Sequence, residues 1–217
     1  MTFFLGTKKE MTQIFEPSGR VRVVTTVSCE PIFVTGIRTE EKNGYSAVQV
    51  GTRETKESRL NKAQLGYLKS AGVRPLSILR EFRLSPKVVD SIELGKKLLI
   101  SEMFQEGDLV DVSAITKGKG FQGVVKRHNF GGGPRSHGQK HNERAGGSIG
   151  NKGIARVLKG LRMPGRMGGD RVTVKNLRVM LIDQETNTLY LSGALPGVKG
   201  ALVEIRKSPK SVKHMTA

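Results

Sequence analysis

The chain has 217 residues, with 37 Lys or Arg, 19 Asp or Glu and a formal net charge of +18. Hydrophobic residues make up 36%, against roughly 45–50% (glycine included) in ordinary globular domains, so no single core spans the whole length. Cys29 is the only cysteine. It excludes an intramolecular disulfide and a multi-cysteine zinc site, and no apolar run approaches the ~20 residues of a membrane span.

The start of the chain has no basic segment followed by a long apolar one. No secretory signal is therefore expected, and a cytosol-like compartment or an organellar matrix fits. Residues 20–27 and 31–37 are rich in β-branched side chains and read as strands. Cys29 lies in that apolar stretch, where a buried, inert thiol is expected. The Lys42, Asn43, Gly44 turn signal leads to a strand at 45–50. A helix is predicted at 62–71, with Asn61 as its cap, Gln64 at the capping-box position and Gly72 as its stop. Residues 80–84 suggest a strand. Residues 108–115 alternate cleanly in apolar and polar side chains, and further strands follow at 171–182, 188–191 and 201–206, with a polar turn at 184–187. The polar, basic residues 207–217 are expected to form a flexible tail.

This pattern predicts a mainly β fold, an antiparallel β-barrel built from residues 1–51, 91–116 and 171–206. A small helix-containing α+β insert is expected at 52–90. The remaining stretch, 117–170, is a long basic extension. Residues 117–178 hold fifteen Lys or Arg and two acids, Glu143 and Asp170, a net of +13. That leaves 22 basic and 17 acidic residues elsewhere, so the charge is localised. An excursion of this length without its own core is functional or disordered. A polyanion must neutralise it, and nucleic acid is the leading one.

Other chemistries are weaker. G-K-G-F-Q-G at 118–123 matches a dinucleotide fingerprint and, with Val125, a kinase glycine-rich loop. No helix signal follows it, and no catalytic-loop or metal-binding motif accompanies it. His137 and His141 have metal-ligand spacing, but Gly138 disfavours a helix there and Lys140 and Arg144 would repel a cation. No Ser, Cys or carboxylate constellation suggests catalysis, so neither an enzyme, a cofactor, a metal nor a small-molecule substrate is expected. No basic amphipathic helix suggests a membrane surface. The binding residues expected are Lys117, Lys119, Lys126, Arg127, His128, Arg135, His137, Lys140, His141, Arg144, Lys152, Arg156, Lys159, Arg162, Arg166 and Arg171. Close backbone approach is expected at Gly118, Gly120, Gly123, Gly147, Gly150, Gly165 and Gly168. With only Phe121 and Phe130 as aromatics, the segment is no stacking platform and suits folded RNA. The reading is a structural RNA-binding protein; a transient assembly factor of the same chemistry is the alternative, and stoichiometry separates the two.

The run T-K-G-K-G-F-Q-G-V-V-K-R-H-N-F at 116–130 closely resembles the signature of large-subunit ribosomal protein three, in its bacterial type. The resemblance continues through His137, G-S-I-G at 147–150, K-G-L-R-M-P-G-R-M-G at 159–168, V-T-V-K-N-L at 172–177 and G-A-L-P-G at 193–197. G-T-K-K-E-M-T-Q-I-F at 6–15 extends it to nearly the whole chain. It implies a six-stranded, translation-factor-like barrel near the 3′ end of the large-subunit rRNA. It also implies an extension that penetrates rRNA, with its tip, about 144–156, approaching the peptidyl transferase centre. Early binding that nucleates subunit assembly, and large-subunit proteins fourteen and nineteen as neighbours, belong to the same implication. Asn151 departs from the family, since many bacterial members carry a methylatable Gln there, so the modification is not carried over. Residues 154–157 differ from the common run, and His128 stands where a large aromatic is common. The extension cannot offset the entropy of its own ordering. Limited proteolysis of the isolated protein is therefore expected to cut first within 117–170, and rRNA to suppress those cuts; equal protection with and without rRNA would contradict this.

Overall fold

The computed structural model describes residues 3–209. In chain order the elements begin with a hairpin of β1 (Phe3–Phe15) and β2 (Val21–Ser28). Then come β3 (Ile32–Arg38), α1 (Glu40–Asn43), β4 (Ala47–Glu54), α2 (Lys62–Ser70) and β5 (Leu76–Arg83). They are followed by α3 (Pro86–Val89), β6 (Lys97–Leu98), α4 (Ile100–Met103) and β7 (Leu109–Ile115). The basic stretch holds β8 (Phe121–Gln122), α5 (Val124–His128) and β9 (Gly165–Arg166). The chain closes with β10 (Arg171–Asp183), β11 (Thr188–Ser192) and β12 (Leu202–Lys207). Among the described residues two compact units result: residues 3–114 with 172–209, and residues 115–171.

The first unit contains a closed six-stranded barrel in the order β1-β12-β7-β10-β11-β2. Its pairings are antiparallel, as in Phe4 opposite Ile205, Val112 opposite Ile205 and Leu189 opposite Val27. The alternation that marks 108–115 is resolved here as Val110, Val112 and Ala114 buried on one face of β7. Val203 and Ile205 of β12, with Leu189 and Leu191 of β11, add to the same core. Closing the sheet leaves no free edge to template aggregation. Register shifts in the β1/β2 and β10/β11 pairings supply the local bending that closure needs.

β1 is the strand that periodicity does not reveal. Phe3, Phe4 and Leu5 are all buried in succession. Neighbouring side chains on a strand point to opposite faces, so β1 must be covered on both. The second cover comes from the four-stranded sheet β5-β4-β3-β6, where Phe82 of β5 stacks on Phe3 at 4.2 Å between ring centroids.

That sheet corrects the expected boundaries of the insert. β3 and β4 pair with each other and with β5 and β6, outside the barrel. Strand periodicity is the same in either sheet, so it carries no assignment to one of them. Pro31, which has no N–H to give to a ladder, stands at the crossing between β2 and β3. Cys29, also at that crossing, is fully buried, and burial pushes its thiol pKa far up.

α2 forms where expected. The Asn61 side chain accepts from the Gln64 amide at 2.7 Å, and the Gln64 side chain accepts from the Asn61 amide at 3.3 Å. At its other end Val73 N donates to Leu68 O and Gly72 N to Lys69 O, with Gly72 at φ 69, a left-handed stop. The 193–197 loop is pinned by Thr25 Oγ1 donating to Gly193 O at 2.6 Å and by Lys8 Nζ donating to Leu195 O at 2.7 Å.

Lys207 and Ser208, expected in a flexible tail, are instead held in place. Lys207 is the last residue of β12 and its ammonium meets Asp108 at 2.8 Å, both side chains nearly buried. Ser208 donates through its amide to Leu109 O and through its hydroxyl to Asn176. The rest of that tail, 210–217, lies outside the described residues. No helix among the described residues is long and apolar enough to cross a membrane. Because Phe82 ties the second sheet to β1, Phe82→Ala should cost about 3–5 kcal/mol of stability; chemical denaturation checks this, and a loss below about 1 kcal/mol would mean the stack does not couple the sheets.

Candidate nucleic-acid interface

The second unit is held by backbone bonds, not by a core. Val124 is its only buried residue among those described. The two legs pair antiparallel: Thr116 N donates to Asp170 O at 2.9 Å, Lys119 N to Met167 O at 2.9 Å and Met167 N to Gly120 O at 3.0 Å. The β8/β9 ladder sets Phe121 opposite Arg166 and Gln122 opposite Gly165. The pairing is so tight that a Cβ on Gly168, at φ +74, would overlap the Lys117 carbonyl oxygen. Gly168 is glycine both for its backbone conformation and for this approach.

A short helix, α5, follows the glycine run 118–123, where no helix signal was legible. It has little intrinsic propensity, since two β-branched residues open it. Tertiary bonds hold it instead. Arg127 Nη1 donates to Met163 O at 2.7 Å, and His128 Nε2 donates to the same oxygen at 3.0 Å. Both side chains are half-buried, so these two expected binding residues also clamp one leg to the other. The Arg127 guanidinium rests against Gly165, where a Cβ would come within 2.8 Å of it.

Beyond α5 the chain forms a loop closed by Gly133 N donating to Glu143 O at 3.0 Å and by an Arg135–Glu143 ion pair at 2.6 Å. His137 and His141 lie in this loop at φ 59 and φ 60, exposed and in left-handed backbone. The helical geometry that would align them as metal ligands is not formed. No cluster of metal-ligating side chains occurs among the described residues. The distal turns are local: Asn151 Oδ1 accepts from Lys152 N at 2.8 Å, and Ile154 N donates to Asn151 O at 3.3 Å. Asn151 thus spends its side-chain carbonyl on its own turn.

The remaining expected cations share one setting. Lys117, Lys119, Lys126, Lys140, Arg144, Lys152, Arg156, Lys159, Arg162 and Arg166 are exposed and make no ion pair with a described residue. Arg171 is exposed at the start of β10. Lys175 and Arg178 on the same strand are exposed as well. With only Glu143 and Asp170 as acids, the unit's cations repel one another and set up a strongly positive field around it. Gly120 and Gly147 take positive φ, while Gly118, Gly123 and Gly150 face open space with no such requirement. Exposed apolar side chains, Ile149, Ile154, Val157, Leu158 and Leu161, gather in the distal part. Their lack of periodicity hid them in the sequence.

A sequence model of the family Ribosomal protein L3 matches residues 85–188, a span that includes the whole second unit. The large ribosomal subunit protein uL3 of Desulfitobacterium hafniense (strain Y51) is 44% identical over 207 residues, covering 95% of this chain and 96% of that protein. The chain belongs to the ribosomal protein L3 family. The uL3 of Heliobacterium modesticaldum is 46% identical over 95% of this chain and 97% of its own length. That of Finegoldia magna is 44% identical over 97% of this chain and 100% of its own. L3 proteins are structural constituents of the large ribosomal subunit, not enzymes.

The glycines of this L3 chain make a paired test. Gly168→Ala should open the base of the two legs and speed amide exchange at Lys119 and Met167 by at least tenfold, whereas Gly118→Ala, which meets nothing, should leave both unchanged. Equal exchange in the two variants would contradict the tight leg pairing.

Proposed function

We propose that this protein is a structural rRNA-binding component of the large ribosomal subunit, with residues 115–171 inserted into folded rRNA as a counter-charge. The observation that carries the reading is the set of ten exposed cations that make no ion pair with a described residue, on a unit with one buried side chain. Phosphates brought close together in a folded RNA repel one another, and fixed Lys and Arg relieve that repulsion. The legs present their charges from a backbone-paired frame, so the protein gives shape as well as charge. Base-by-base reading is a smaller part of such binding.

Membership in the L3 family supports finer features of the same proposal. The barrel binds near the 3′ end of the large-subunit rRNA, early enough to nucleate assembly. The distal part, about 144–156, points toward the peptidyl transferase centre and supports it without taking part in chemistry. Large-subunit proteins fourteen and nineteen are its protein neighbours, and the ribosome it joins is cytoplasmic. A transient assembly factor is the competing reading, and it differs in where the protein ends up. After a high-salt wash on a sucrose gradient, close to one copy per mature large subunit is expected; loss from mature subunits with enrichment in lighter precursors would contradict the proposal.

A further inference from the structure

The basic unit contains one cleft that its charges do not line. It has a volume of about 670 Å³ and lies between residues 130–133 and 139–147. Its walls include Phe130, Gly132, Gly133, Gln139, Asn142 and Gly146, and no Lys, Arg, His, Asp or Glu lines it. In a segment this basic, a cleft free of charge is not built for a phosphate. Its size lies within the roughly 300–1,000 Å³ common for small-ligand sites.

We infer that this cleft takes an unpaired nucleobase of the rRNA into which the unit inserts. The inference rests on the rRNA-binding reading above. Phe130 is half-buried and lines the cleft, with the His128 ring 6.0 Å away and tilted 44° to it. The carboxamides of Gln139 and Asn142 have no hydrogen-bond partner among the described residues, although Gln139 is half-buried. Each offers one acceptor and two N–H donors, the complement of a base edge. An aromatic face with free donors and acceptors beside it is the arrangement by which proteins hold splayed-out RNA bases. The frame is fixed where it must be. Gly133 N and the Arg135 guanidinium both bind Glu143, and a Cβ on Gly132 would overlap the Glu143 carbonyl oxygen. Lys140 and Arg144 flank the wall residues in sequence and are exposed, as the phosphates on either side of an extruded base require.

The test compares large subunits carrying the full chain with subunits carrying Gln139→Ala/Asn142→Ala. Both are probed with dimethyl sulfate and a carbodiimide, which together report the Watson–Crick edges of all four bases. The copy number of each chain after a high-salt wash is measured alongside. The expected result is one unpaired base that is protected with the full chain and at least fivefold more reactive with the variant. Identical base profiles, with the full chain retained at one copy, would overturn this inference and leave the rRNA-binding reading intact. Loss of the full chain from salt-washed subunits would overturn both. Should the variant fail to enter subunits, Phe130 replaced by photoreactive benzoylphenylalanine decides. A cross-link to one unpaired base supports the cleft's assignment; cross-links only to paired nucleotides or to a neighbouring protein overturn it.

Discussion

Electrostatic self-repulsion in residues 115–171 is the constraint on which the rest of this protein depends. Two acids cannot offset the cations there, and one buried valine cannot offset the entropy of ordering them. The fold answers with bonds that need no apolar volume. The legs share backbone hydrogen bonds at Thr116, Lys119 and Met167. Two cationic or polar side chains, Arg127 and His128, are spent on a single carbonyl of the returning leg. The exposed cations then point at whatever lies outside, and their electrostatic energy is recovered only when that partner is anionic.

The barrel supplies what the basic stretch lacks. β7 and β10, the strands from which the stretch leaves and to which it returns, are neighbours in the sheet. Neighbouring strands lie about 4.8 Å apart, so the ends of the stretch are already close and little closure entropy opposes its ordering. The barrel achieves this with ordinary apolar packing. Val110, Val112, Val203, Ile205, Leu189 and Leu191 sit in one core, and the second sheet covers the outer side of β1 through the Phe3–Phe82 stack. A packed scaffold of low net charge and a strongly charged insert are thus two halves of one solution.

What was legible in the sequence follows the same division. Features that are local in sequence were readable. They include the period of 109–115, the cap at Asn61 with its Gln64 partner, the left-handed stop at Gly72 and the charge block itself. Features that depend on distant partners were not. The strand at 3–15 hides because residues 3–6 are covered on both faces and residues 9–13 on neither, which erases alternation. The strands at 32–38 and 47–54 read as strands, yet their membership of a separate sheet depends on pairing with residues 76–83 and 97–98. The helix at 124–128 exists because Met163 is there to receive Arg127 and His128. Lys207 looked like tail because its partner, Asp108, is 99 residues away in the chain. Within the basic stretch, sequence singled out the charged residues, whereas the uncharged cleft at Phe130, Gln139 and Asn142 exists only once Gly133 meets Glu143.

The most direct measurement of the central claim is the salt dependence of equilibrium binding to large-subunit rRNA. The full chain is compared with one in which Lys117, Lys119, Lys140, Lys152, Arg156 and Arg162 are replaced by Gln. If these side chains neutralise phosphates, log K falls steeply with log salt for the full chain. The slope then becomes shallower by about 0.7–0.9 for each phosphate contact removed, roughly four to five units in all. Equal slopes for the two chains would contradict the account, because the charge that organises the structure would then be facing something other than RNA.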